Sequence, residues 1–370
     1  MASRITLVIS ALPAGGAERI ITSLANHWVE QERAVTLITF DDKAPYYPLD
    51  DRVDLRQLNL PTFSRPLPKA LVGAARRVLG LRRAIRQSRP DIVISFLGKI
   101  NALTVLATRG MAVPVVVSER NNPDRQVFRP AWHWMRKRLY GLADRLVTPS
   151  QGVLDWFPEA IRARGQVIPN PVDLPSEIRP RKPGAPGLIA VGRLEDQKGF
   201  DLLLQAYGKI AERFPDWSLT IRGDGRRRAE IERLRAELGL EDKVHLPGIT
   251  EVPGSWVTEG EVFVLSSRYE SFGNVLTEAM VAGLPIVSFD CPFGPGEIIT
   301  DGVDGILVTP EDPDALAAAM ADVIQNAELR QRLGEAAQQN VRRFERSRIM
   351  QLWDELVADL AKSPRATAAT

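Results

Sequence analysis

Short apolar runs alternate with amphipathic stretches along almost the whole chain, and this alternation constrains the fold more than any other feature. RITLVIS (4–10), AVTLITF (34–40), DIVISF (91–96), VPVVVSE (113–119) and DRLVTPS (144–150) read as buried strands. AERIITSLANHWVEQ (17–31) and residues 69–88 read as helices between them. Strands that alternate with helices predict a parallel sheet covered on both faces. The rhythm breaks in the proline-rich segment IPNPVDLPSEIRPRKPGAPG (168–187), which reads as an interdomain linker. It then restarts with GLIAVGR (187–193), SLTIRGDG (218–225), KVHLPG (243–248), EVFVLSS (261–267) and PIVSFD (285–290). Helices are expected over 312–334 and 345–362. The expectation is an α/β protein of two Rossmann-like, doubly wound domains, 1–170 and 171–344, facing each other across a cleft. The helix 345–362 packs back on the first domain, and 363–370 is a disordered tail.

The length of 370 residues suits two domains better than one core. The single cysteine, Cys291, rules out an internal disulfide and fits a reducing cytoplasm. MASRITLVISALPAGG is too short in its apolar part for a signal peptide and reads as a strand. No apolar stretch reaches the roughly 18 residues of a membrane span. The charge is uneven: residues 1–170 carry 25 Lys+Arg against 14 Asp+Glu, and the remaining 200 carry 23 against 32. One half is therefore suited to meet something anionic.

In an open parallel sheet, ligands bind at the carboxyl ends of the strands, so chemistry is sought in the turns. PAGGAER (13–19) joins a strand to a helix: Gly15 and Gly16 suit close approach of a phosphate to a helix start, or a tight turn alone. The dinucleotide pattern GxGxxG is absent. In VGRLEDQKGF (191–200), Arg193 and Lys198 flank another such turn; they suit a diphosphate, or are solvated surface cations. In SRYESFGNVLTEAMVAGLP (267–285), Glu270 lies in the turn and Glu278 about one turn into a helix over 274–282, stopped by Gly283 and Pro285. The backbone amides of Phe272, Gly273 and Asn274 can meet a phosphate there. Acids beside a phosphate make sense as acceptors from sugar hydroxyls; otherwise they are a loop acid and a favourable helix-start acid. Asp41 and Asp42 read as a solvated turn, so no metal is expected.

Taken in order, GGAER, IPNPVD, GRLEDQKG, ESFGNVLTEAMVAGLPIV (with its E-x7-E spacing) and GPGEIITDGVDGILV resemble glycosyltransferase family 4, of the GT-B fold, over nearly the whole chain. The resemblance implies a retaining enzyme that uses a nucleotide-sugar, here taken as UDP-linked, without a metal or other cofactor. It implies that Arg193 and Lys198 bind the donor diphosphate and offset charge on the leaving nucleotide. Glu270 would contact the transferred sugar, Glu278 the ribose, and Gly16 the diphosphate from the other domain. Backbone near Gly223 and Gly248 would lie by the nucleobase. Many members of that family carry a histidine after the strand matching VPVVVSE. Here SERNNP follows, and either Glu119 or Arg120 replaces that contact or the segment is a surface turn.

Between Leu55 and Pro90 there is no acidic residue, while Lys69, Arg76, Arg77, Arg82 and Arg83 lie among apolar positions. Such a basic amphipathic helix suits an anionic membrane surface, or is a solvated helix face. RQVFRPAWHWMRKR (125–138) adds five basic residues with Trp132 and Trp134. Nucleic acid is the weaker partner for these patches, because the other half carries the donor motifs. The GGAER and GPGEII segments look most like bacterial enzymes that extend lipid-linked oligosaccharides. The expected acceptor is therefore a polyprenyl-diphosphate glycan, met near Arg19 and the basic patches, by an enzyme peripheral on the cytoplasmic face of the membrane. A nucleotide-sugar epimerase of the same fold and a transferase with a soluble acceptor are the alternatives.

Overall fold

The computed structural model describes residues 4–60, 67–125, 130–172 and 186–362. The chain forms two compact units: one comprises the residues up to Asn170 and again from Ser347, the other is Pro171–Arg346. Most of the proline-rich linker and the segment 363–370 lie outside the described residues.

The first unit is built on seven parallel strands: β1 (Arg4–Val8), β2 (Ala34–Thr39), β3 (Asp54–Gln57), β4 (Ile92–Phe96), β5 (Val115–Ser118), β6 (Arg145–Thr148) and β7 (Gly165–Val167). Their order is β3-β2-β1-β4-β5-β6-β7. β4 and β5, IVISF and VVVS, are buried at every position. Runs this rich in Val and Ile, with no charged residue, suit strands covered on both faces. The edge strand β3, DLRQ, is the polar one. The helix Arg346–Lys362 belongs to this unit, and its Ile349, Trp353, Leu356 and Val357 join Ile20, Leu24 and Trp28 in one core. Asp354 fixes that helix by accepting from His27 (3.0 Å), Trp28 (2.8 Å) and Gln31 (3.0 Å).

The second unit repeats the plan with β8 (Gly187–Val191), β9 (Ser218–Arg222), β10 (Val244–Gly248), β11 (Val262–Leu265), β12 (Ile286–Phe289) and β13 (Ile306–Val308), in the order β10-β9-β8-β11-β12-β13. In each unit the strand order reverses beside the first strand, between β1 and β4 and between β8 and β11. Such a reversal opens a crevice at the strands' carboxyl ends. One expectation is corrected. The single helix over 312–334 is two helices, Pro313–Gln325 and Ala327–Asn340. Asn326 divides them with an extended backbone, and its side chain accepts from Leu329 N at 2.9 Å, capping the second.

Candidate active site

The chain leaves β8 through Gly192 and Arg193, makes a 3-10 turn at Asp196–Lys198, and enters the helix Phe200–Gly208. It leaves β11 through Ser266–Gly273 and enters the helix Asn274–Val281. Because β8 and β11 are neighbours, the two turns lie side by side. They are sewn together by Arg268 N to Gln197 O (2.8 Å), Gln197 Nε2 to Tyr269 O (3.0 Å) and Ser266 Oγ to Lys198 O (2.8 Å). Gly199 makes this approach possible: its φ is +60°, and a Cβ there would collide with the Ser266 carbonyl. Arg268 closes the seam with a fork on Asp201 (2.9 and 2.7 Å) and a bond to Asp196 O (2.9 Å). Burial opposes ionisation of Asp201, but the hydrogen bonds and charge of Arg268 outweigh it and hold the carboxyl below the usual range.

Within this seam Lys198 Nζ meets Glu270 Oε1 at 2.6 Å, and Ser267 Oγ donates to the same oxygen at 2.8 Å. The two charged side chains are 14% and 8% exposed, so the pair is largely shielded from water. The sequence reading gave Lys198 to a diphosphate and Glu270 to a sugar separately; the fold pairs them directly. Cys291 is buried close by, and its thiol is pushed well up by burial and then by the Glu270 charge, which keeps it from acting as a thiolate. Arg193 stands just past the end of β8 with its side chain exposed, and its backbone carbonyl accepts from Glu195 N at 2.7 Å.

The remaining donor-side candidates occupy the same end of this sheet. Gly273 starts the Asn274–Val281 helix with φ +100°, while the Phe272 ring is buried edge-on against Phe344 at 5.4 Å. Only the backbone of Phe272 is therefore a candidate for a ligand. Glu278 is 9% exposed, and its Oε2 accepts from Trp256 Nε1 at 3.1 Å. Gly223 N donates to Gly248 O at 3.0 Å. A Cβ on Gly223, whose φ is +144°, would collide with Gly192 O, so the packing of strand ends already demands glycine there. Ser267, Arg268, Asp201 and Trp256 were not singled out from the sequence. The Ser-x-x-Glu spacing at 267–270 is the one local signal among them.

In the first unit, Gly16 opens the helix Gly16–Glu30 and is exposed, and Arg19 N bonds to Gly15 O at 3.0 Å. The basic helix spans Leu67–Ser88, and Val72, Arg76, Leu79, Arg83 and Arg86 form its exposed stripe. Two of the expected surface arginines are corrected. Arg77 is 9% exposed, and burial lowers its pKa. Arg82 donates to Ala107 O and Arg109 O, both at 2.7 Å, so it is tied to the end of the helix Gly98–Ala107. Trp134 is 63% exposed with Arg138 stacked 5.0 Å away. The side chains of Lys69 and Trp132 lie outside the described residues. The helices Leu67–Ser88, Gly98–Ala107 and Pro130–Tyr140 pack side by side, and none contains an acidic residue.

Glu119 and Arg120 are corrected as acceptor contacts because both are core groups, 0% and 5% exposed. Glu119 accepts from Tyr140 (2.8 Å) beside Arg136 (3.8 Å). Arg120 binds Ser118 Oγ (2.8 Å), Ile168 O (2.8 Å) and Asn170 Oδ1 (2.9 Å), with Trp353 and Phe96 against its guanidinium at 5.4 and 5.7 Å.

Two family models together match almost the whole chain: Glycosyltransferase Family 4 over residues 14–175 and Glycosyl transferases group 1 over residues 176–340. The chain belongs to glycosyltransferase family 4. The glycosyltransferase is 27% identical to the amylovoran biosynthesis glycosyltransferase AmsD of Erwinia amylovora over 353 residues, covering 93% of this chain and 96% of that protein. It is also 27% identical, over 360 residues, to an α-1,4-N-acetyl-D-galactosaminyltransferase of Campylobacter jejuni named for a GalNAc-GalNAc-diNAcBac glycan on diphospho-undecaprenol; 96% of this chain and 99% of that one are covered. Among solved structures it superposes on Anabaena Alr3699/HepE, in complex with UDP and glucose, with TM-score 0.79 at 20% identity, covering 96% of this chain and all of that one, 100%. The fold is of the GT-B class, with two Rossmann-like units in one chain. Among the described residues, no helix is long and apolar enough to cross a membrane.

Proposed function

We propose that this glycosyltransferase moves a hexosyl or N-acetylhexosaminyl group from a UDP-sugar to a glycan carried on polyprenyl diphosphate, with retention at the anomeric carbon. The observation that carries the reading is the convergence of Lys198, Glu270 and Ser267 at the carboxyl ends of β8 and β11, where the strand order reverses. Arg193 and Lys198 bind the donor diphosphate, aided by backbone amides at Phe272–Asn274. Glu270, oriented by Lys198 and Ser267, accepts from a hydroxyl of the sugar, and Glu278 accepts from the ribose. The bond from the anomeric carbon to the acceptor oxygen forms as the bond to the donor phosphate oxygen breaks. The nucleotide diphosphate leaves with the electron pair, and the acceptor proton passes to a donor phosphate oxygen. Preorganised cations stabilise the charge that develops on the leaving group. No step is assigned to a metal.

The lipid-linked acceptor is supported by the undecaprenyl-linked glycans for which the Campylobacter relatives are named, and the UDP donor by the ligand of the structural neighbour. The acid-free three-helix layer, with Arg76, Arg83, Arg86 and Trp134 exposed, favours an anionic lipid surface at the inner face of the cell membrane. The test is a panel of nucleotide sugars offered with membrane lipid extract or with water-soluble glycans, following free nucleotide. UDP release that requires the lipid extract is expected. Release that requires only a water-soluble glycan would overturn the acceptor. Interconversion of the donor sugar without any transfer product would point to an epimerase.

A further inference from the structure

Glu278 sits in the second turn of the Asn274–Val281 helix, and the residue is 9% exposed. A buried polar group of this kind requires hydrogen-bond partners. One donor comes from Trp256, 22 residues earlier in the short turn Ser255–Thr258, whose indole Nε1–H reaches Oε2 at 3.1 Å. The indole is itself fixed: Trp256 is 2% exposed, and its ring lies 5.1 Å from that of Phe263 in β11. An indole N–H donates and never accepts, so it holds one oxygen of the Glu278 carboxyl group. A ring needed only for packing would not require a nitrogen aimed at a carboxylate.

We propose that Trp256 is a positioning residue for the nucleotide: through its N–H it fixes Glu278 in the orientation that grips the ribose hydroxyls. This rests on the reading of Glu278 as the ribose acceptor. Trp256 touches no substrate. It sets the donor's ribose recognition from within the core, and its effect is on nucleotide binding rather than on the transfer step.

Titration calorimetry with UDP, 2′-deoxy-UDP and 3′-deoxy-UDP tests this, comparing the wild type with Trp256→Phe and Phe263→Leu and confirming the fold by thermal melting. The wild type should bind UDP about tenfold tighter than at least one deoxy analogue, the size of one hydrogen bond to a charged group. Trp256→Phe should abolish that gap while changing affinity for the same deoxy analogue by less than about twofold. Phe263→Leu keeps the N–H but loosens the ring, and should narrow the gap; it keeps the test open if Trp256→Phe does not fold. A folded Trp256→Phe protein with the full wild-type gap, or an unchanged gap in Phe263→Leu, would show that Trp256 only fills the core. Equal binding of UDP and both analogues by the wild type would overturn the ribose role of Glu278, and the inference with it.

Discussion

Lys198 and Glu270, 72 residues apart in sequence, meet at 2.6 Å in the seam between two turns, and Ser267 shares the same carboxylate oxygen at 2.8 Å. The pair is mostly buried, with its two side chains 14% and 8% exposed.

Removing one member takes a close ionic partner from the other in a place largely shielded from water. Lys198→Ala and Glu270→Ala should each lower stability by about 3–5 kcal/mol and transfer by at least about 100-fold. The double variant Lys198→Met/Glu270→Gln should melt higher than either single variant while remaining inactive. Denaturant unfolding alongside nucleotide release reads both effects. A double variant less stable than both singles would contradict the compensation.

Arg268 grips Asp201 through two nitrogens, so its fork matters beyond its charge. Arg268→Lys should keep the charge yet lower the melting temperature of the second unit and reduce turnover, because the two turns lose their register. Wild-type turnover in Arg268→Lys would show that the fork is dispensable.

Asp201 and Asp354 both have pKa values held below the ordinary carboxylate range, against the opposing effect of burial. A depressed carboxyl contributes stability that is present above its unfolded pKa and lost as pH falls through its folded pKa. The melting temperature should therefore fall as pH drops through and below the usual carboxylate range. Asp201→Asn and Asp354→Asn should each flatten that acid limb, measured by calorimetry between neutral pH and about pH 3, while lowering stability at neutral pH. An unaltered limb in both would assign the acid sensitivity elsewhere.

Ten of the thirteen strands among the described residues were legible as apolar runs bounded by turns; β3, β7 and β13 were not, because β3 is polar and β7 and β13 are only three residues long. The pairing of Lys198 with Glu270 was not, because only the adjacency of β8 and β11 brings the two turns together. The arginines of the Leu67–Ser88 helix are a different case. Arg76, Arg77, Arg82 and Arg83 look equivalent as composition, yet the buried stripe Leu81, Ala84 and Ile85 extends one turn back onto Arg77. Helical phase held that information. Arg82 needed the fold, since its partners are carbonyls of another helix. Glu119 and Arg120 misled because a charged pair after a strand reads as a surface turn. Here Tyr140, Arg136, Ser118 and Asn170 supply the bonds that let both be buried.

That division gives a membrane prediction with an internal control. Neutralising Arg76, Arg83 and Arg86 to Gln should weaken binding to anionic liposomes by roughly 100-fold at moderate salt, at about 1 kcal/mol per basic residue, with little change in melting. Arg82→Gln should instead lower stability, because Ala107 O and Arg109 O lose their shared donor. Liposome sedimentation across a salt series, paired with thermal melting, separates the two. Binding unchanged by the triple substitution would argue for a soluble acceptor.

The most direct measurement follows radiolabelled sugar from its UDP donor into the solvent-extractable lipid fraction of membranes, for the wild type, Lys198→Ala and Glu270→Ala. The prediction is label in the lipid-linked glycan for the wild type and loss of at least about 99% of it in both variants. Label that stays water-soluble with the wild type, or enters lipid at the wild-type rate in a folded variant, would contradict it.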